Sequence, residues 1–208
     1  MELISQEKIT QALDWAYEKS VNGFSGLDSA QELADSYMKS DDTPYEQANS
    51  LIRWQNTKSA TSGFVTGLGG LITLPIALPA NLTSVLFVQV RMIAAIAHIG
   101  GYDIKDDRVK TLVYACLTAN SVKEVLKDVG ITVGNKLLMN AVKSISGQTL
   151  KAINKKVGFT LVTKMGKTGV INLGKSVPLI GGVVGGSFDA YTTNKIGNIA
   201  RDTFTPKK

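Results

Sequence analysis

Arg91 and Asp189 are the residues of this 208-residue chain whose setting first suggests chemistry, because each is an isolated charge in apolar, glycine-rich surroundings. No charged residue lies between Ser59 and Val90, and from Met92 to Tyr102 only His98, the single histidine, can take up a proton. Asp189 interrupts an otherwise uncharged run from Ser176 to Asn194. Burying one such charge alone is unfavourable by roughly several kcal/mol. Two arrangements answer that cost: a mutual, hydrogen-bonded pair fixing the central segment against the last one, or separate solutions in which each group reaches water or backbone. A polar cleft joining Arg91, Asp189 and Asn81 would be the start of an enzyme site of unknown class. No nucleophile–base pair accompanies them, so the enzyme reading stands behind the binding readings.

The remaining reactive residues exclude several chemistries. One histidine and one cysteine, Cys116, cannot supply the ligand sets of structural zinc within one chain, and no metal or cofactor is expected. A lone cysteine also rules out an internal disulfide framework. Asp103, Asp106 and Asp107 suit a turn and a helix cap better than a divalent cation. Gly166-Lys167-Thr168 imitates the end of a phosphate-binding loop, but the first glycine of that loop would fall at position 161, which is leucine. Gly67-Leu68-Gly69 lacks the third glycine of a dinucleotide fingerprint, since position 72 is isoleucine.

The element that must position Arg91 is the stretch Ser59–Tyr102, two apolar segments divided by Pro75 and Pro79. Prolines break helical hydrogen bonding, so the stretch reads as a helical hairpin with Pro79 opening its second arm. Leu82, Val85, Leu86, Val90 and Ile93 keep helical spacing, and Met92, Ile96 and Ile99 widen the stripe to nearly all round, the pattern of a buried helix. Leu82–Gly100 would measure about 28 Å, close to a bilayer core. Arg91 at its middle would cost roughly 2.5–3.5 kcal/mol in lipid. That favours a protein-wrapped helix or a shallow hairpin over a single membrane-crossing helix.

Around the hairpin the pattern is helical throughout. Residues 1–44 read as amphipathic helices, one ending at Asn22-Gly23 and a second starting after Ser29 in a capping box with Glu32. Thr43-Pro44-Tyr45-Glu46 marks a third start, running through Leu51, Ile52 and Trp54 towards Lys58. Asp106 and Asp107 cap a helix carrying Cys116, and Ser121 with Glu124 restarts it. Two lysine-bearing segments follow, near 135–145 and 149–156, and Val157–Thr163, though rich in strand formers, is read as helix. Gly181 and Gly185, like Gly182 and Gly186, are four apart and give a flat face for close helix packing or a switchable contact.

Charge is divided unevenly. Residues 1–60 hold ten acids against five bases, and residues 61–208 hold seven acids against eighteen bases, for a total of +6. A basic back half beside a very apolar stretch suits an anionic membrane surface, with Lys151, Lys155 and Lys156 as candidate lipid-surface lysines. Few aromatic residues interleave with the lysines and no recognition motif is present, so nucleic acid is not expected. The N-terminus lacks the basic start and apolar run of a secretory signal, which makes the cytoplasm the expected compartment.

The blocks GLGGLITLPIALPANL, QVRMIAAIAHIGGYDIKDDRVKTLVYACL and SVPLIGGVVGGSFDAYTTNKIGNIA resemble those of the EcsC-like proteins, over residues 45 to 204 and in the same order. The resemblance implies a mostly helical domain with a membrane or transporter association, and carries no catalytic residues. The expectation is therefore an all-α domain organised on the central apolar, proline-broken hairpin, with residues 45–208 as its EcsC-like part. Its expected function is non-enzymatic: docking on or into the inner membrane face, assisting or regulating a transporter or perturbing the bilayer. A soluble, homo-oligomeric interaction module with the apolar stretch as core is the alternative.

Overall fold

The computed structural model describes residues 5–23, 26–59, 80–131, 143, 145–173 and 181–207, with the side chains of 58–59, 80–82, 164–173 and 181–191 left aside. The chain is all-α. Among the described residues it forms α1 (Gln6–Asn22), α2 (Ala30–Met38), α3 (Pro44–Ser59), α4 (Ala80–Ile99), α5 (Asp107–Leu117), α6 (Val122–Asp128), α7 (Gly147–Leu173) and α8 (Gly181–Phe204).

The starts follow from local chemistry. Ser29 and Glu32 form a reciprocal capping box: the Ser29 hydroxyl accepts from the Glu32 N–H at 3.1 Å, and the Glu32 carboxylate accepts from the Ser29 N–H at 2.8 Å. At α3, Glu46 accepts from both the N–H and the hydroxyl of Thr43, with Pro44 in the first turn where its missing N–H costs nothing. Asp106 caps α5 by accepting from the Arg108 N–H at 2.8 Å. The end of α4 is a Schellman turn, in which Tyr102 N–H bonds Ala97 C=O and Gly101 N–H bonds His98 C=O. Gly101 takes the left-handed φ of 80° that this turn requires.

The lysine-bearing part differs from expectation in length. In place of a helix stopping near Lys156, α7 runs unbroken from Gly147 to Leu173, taking in Val157–Thr163. Val157 and Leu161 lie buried four residues apart on one face, so tertiary burial overrides their strand preference. The segment expected near 135–145 falls mostly outside the described residues.

At the centre sits α4. From Thr83 to Ile99 every residue except Val85 and His98 is buried. It packs against α1, α2, α3, α5 and α8, and the apolar residues of α1 and α2 join the same core. Full burial of Leu86, Met92, Ile93 and Ile96 contributes about 1.5–3 kcal/mol each. The other arm of the expected hairpin, with Pro75 and Pro79, lies outside the described residues.

Side-chain contacts fix the helix directions. Gln89 Nε2 donates to Thr193 Oγ1 at 3.3 Å, Met92 packs near Gly197, and Gly100 lies on the Phe204 carbonyl, so α4 and α8 run parallel. A Cβ on Gly197 would press on Ile52 and Met92, so this glycine is what allows α3, α4 and α8 to meet. Tyr45 stacks under Arg201 (4.6 Å) and Asn49 accepts from Arg201 at 2.6 Å, which makes α3 antiparallel to α8. The end of α3 and the starts of α4 and α8 therefore share one end of the bundle.

Candidate functional site

The Arg91 side chain is 8% exposed, and among the described residues the carboxylate it pairs with is that of Asp28, with Nη2 3.8 Å from Oδ2. That is beyond hydrogen-bond length, and the Arg91 Nε is buried with no acceptor among the described residues. Burial pulls the guanidinium below its ordinary value, opposed by the charges of Asp28 and Glu32. Two turns further along, His98 Nε2 lies 3.6 Å from Asp35 Oδ1, an ion pair when the imidazole is protonated. Asp28 and Asp35 are seven apart, as are Arg91 and His98, so α2 lies parallel to α4, with Asp28, just before its start, beside Arg91 and Asp35 beside His98. His98 stands in the last turn of α4.

The seating of Asp28 beside Arg91 was not legible in the sequence. The available signal was the matched seven-residue spacing of Asp28 and Asp35, before and within α2, and of Arg91 and His98 on α4. The Asp189 side chain lies outside the described residues, as do those of Asn81 and of positions 181–186, where the glycine series begins α8.

The lysine face is set on α7. Lys151, Lys155 and Lys156 are exposed, and Phe159, on the ridge of Lys151 and Lys155, is 63% exposed. Lys156 Nζ pairs with Asp128 at 3.1 Å, while no ion pair to Lys151 or Lys155 is seen among the described residues. α7 contains five lysines and no acid. The buried face of the same helix holds Ile153, Val157 and Leu161, and Gly158 lets the Gln6 side chain close over it and donate to the Lys155 carbonyl at 3.0 Å.

A third cluster joins α1 to α5. Lys110 pairs with Asp14 at 2.7 Å, above the rings of Tyr17 and Tyr114, which pack edge to face. Tyr17 donates to the Ile104 carbonyl and Tyr114 to Asp14. Burial, with the acids nearby, pushes both phenols far up, so neither can serve as a base. Burial likewise pushes the Cys116 thiol up to about 12, which removes it as a nucleophile at neutral pH.

Among the described residues no group of three or more His, Cys, Asp or Glu side chains is placed to hold a metal ion. Among them also, no helix is long and apolar enough to cross a membrane. Neither curated proteins nor solved structures give a match to the chain. The model of the EcsC protein family matches residues 4–206, so the match extends over α1 and α2 as well as the blocks that carried the resemblance, and the chain belongs to the EcsC protein family.

Proposed function

We propose that this protein is a non-enzymatic module that docks on an anionic membrane surface, the inner face of the bacterial membrane, and acts there on a membrane partner such as a transporter. The observation that carries the reading is the outer face of α7, where Lys151 and Lys155 line up with an exposed phenylalanine on a helix without a single acid. Lysines near an anionic surface contribute about 1 kcal/mol each, and an aromatic ring beside them suits the headgroup layer. The uncharged stretch 60–79 is the second expected contact, supplying apolar surface in addition to charge.

Sedimentation with vesicles tests this. Binding to vesicles containing phosphatidylglycerol should exceed binding to phosphatidylcholine alone and should fall with added salt. Changing Lys151, Lys155 and Lys156 together to glutamate should weaken it about 100-fold. Lys156 should matter least, being already paired with Asp128. Equal indifference to both vesicle types would sink the proposal.

The burial of α4 supports a second reading, in which the apolar stretch is core and the protein is a soluble interaction module. Release from membranes by high salt, with self-association in solution, would favour that version.

A further inference from the structure

The packing of the helices leaves two surface patches of opposite charge uncovered. Residues 28–46, which take in α2 and the start of α3, hold six acids against one base, Lys39, and all of these are exposed. No acid occurs between Asp128 and Asp189, and in that part of the chain the outer face of α7 presents Lys151 and Lys155. Each patch also carries an uncovered apolar side chain. Among the described residues three large hydrophobics stand exposed, and one lies in each patch: Met38 (42%), a turn beyond Asp35, and Phe159 (63%), a turn beyond Lys155. A lone exposed apolar residue is ordinary on a protein surface. Here the two exposed side chains sit among charges of opposite sign. Within one chain the patches do not cover each other: α2 packs chiefly on α3 and α4, α7 on α1, α5 and α6, and both outer faces stay open to solvent.

We infer that the α7 face of one copy docks on the α2 face of a second copy, with Phe159 against Met38 and with Lys151 and Lys155 facing Asp35, Asp41 and Asp42. A thioether against an aromatic ring is a favourable contact, and complementary charge around it steers the encounter and fixes its register. Because the two faces differ, the contact is head to tail. Every copy that joins offers both faces again, so association continues past the dimer into a ring or an open chain. Two apolar side chains and a few solvated charges make a weak contact, so assembly grows with concentration. The inference goes beyond the docking reading and gives α7 a second occupant: a lipid surface and a second copy compete for the same lysines.

Sedimentation velocity of the full chain without lipid tests the contact, so its outcome is separate from that of vesicle binding. At low ionic strength the average mass should rise with protein concentration from the monomer past the dimer. At about 1 M salt, where the screening length is about 3 Å, it should return to the monomer. Lys151→Glu with Lys155→Glu should stay monomeric, as should Asp41→Lys with Asp42→Lys. An equimolar mixture of the two variants should associate again, because the untouched acids of the first meet the untouched lysines of the second. That recovery also shows both variants to be folded. Phe159→Ala, which leaves the charge alone, should weaken association about tenfold. A wild-type chain that sediments as a monomer at every concentration overturns the inference. Association that persists in high salt, or in both charge variants, overturns it as well and assigns the seam to another surface, such as the uncharged stretch 60–79. A mixture that fails to associate, with each variant folded by circular dichroism, counts equally against it. Each of these results leaves docking to be decided by vesicle pelleting.

Discussion

Arg91 is the residue where burial and pairing disagree most. Its guanidinium is nearly covered, yet Asp28 reaches it only at 3.8 Å and is itself 73% exposed. An exposed partner of this kind contributes about 0–1 kcal/mol, so Asp28→Asn should cost less than about 1 kcal/mol in urea unfolding. Arg91→Met keeps the stem packed and removes a desolvated charge, so it should be neutral or stabilising, as replacements of buried ions by apolar residues often are. A loss above about 3 kcal/mol would mean that Arg91 has a strong buried partner. Two backbone positions give sharper expectations. A Cβ at Gly100 would overlap the Phe204 carbonyl oxygen, so Gly100→Ala should cost about 1–3 kcal/mol by forcing α8 off the end of α4. Ala119 ends α5 in the left-handed region at φ 54°, so Ala119→Gly should raise the melting temperature by relieving up to about 1–2 kcal/mol of strain, less the added freedom of the unfolded chain.

The elements were legible wherever a local rule governed them. Ser29 with Glu32, Thr43-Pro44 with Glu46 and Asp106 are signals that span at most four residues, and each begins a helix as read. What exceeded such rules was the length of α7 and the seating of α2 on α4. Both depend on burial against helices distant in sequence, for which a local pattern has no term. The caps also predict a pH response. Bonds from Ser29 hold the Glu32 carboxyl below its ordinary value of 4.5, and bonds from Thr43 do the same for Glu46. A depressed carboxyl contributes stability that is fully present above the ordinary value and is lost as pH falls through the depressed one. Urea midpoints should therefore fall as pH drops below about 4.5. Glu32→Gln with Glu46→Gln should flatten that fall while lowering stability at pH 7, and an unchanged acid limb would show that the caps do not contribute.

For the molecule as a whole, the question is whether docking opens the fold or leaves it closed, and magnitudes decide it. Leu86, Met92, Ile93 and Ile96 of α4 alone hold about 6–12 kcal/mol of burial. The exposed lysines of α7 offer about 1 kcal/mol each, too little to draw α4 out of five packed neighbours. The single arginine in that helix raises the cost of transfer to lipid further. Docking should therefore leave the bundle intact. In hydrogen exchange, the amides of 90–97 should open only with global unfolding, and at the same rate with and without phosphatidylglycerol vesicles. Cys116, buried on α5 with its thiol pushed up to about 12, gives an independent readout: alkylation at pH 8 should be slow in both conditions and rapid in urea. If vesicles instead release the α4 amides and expose the thiol, the protein is an inserting one, and the wrapped helix seen here is its stored form.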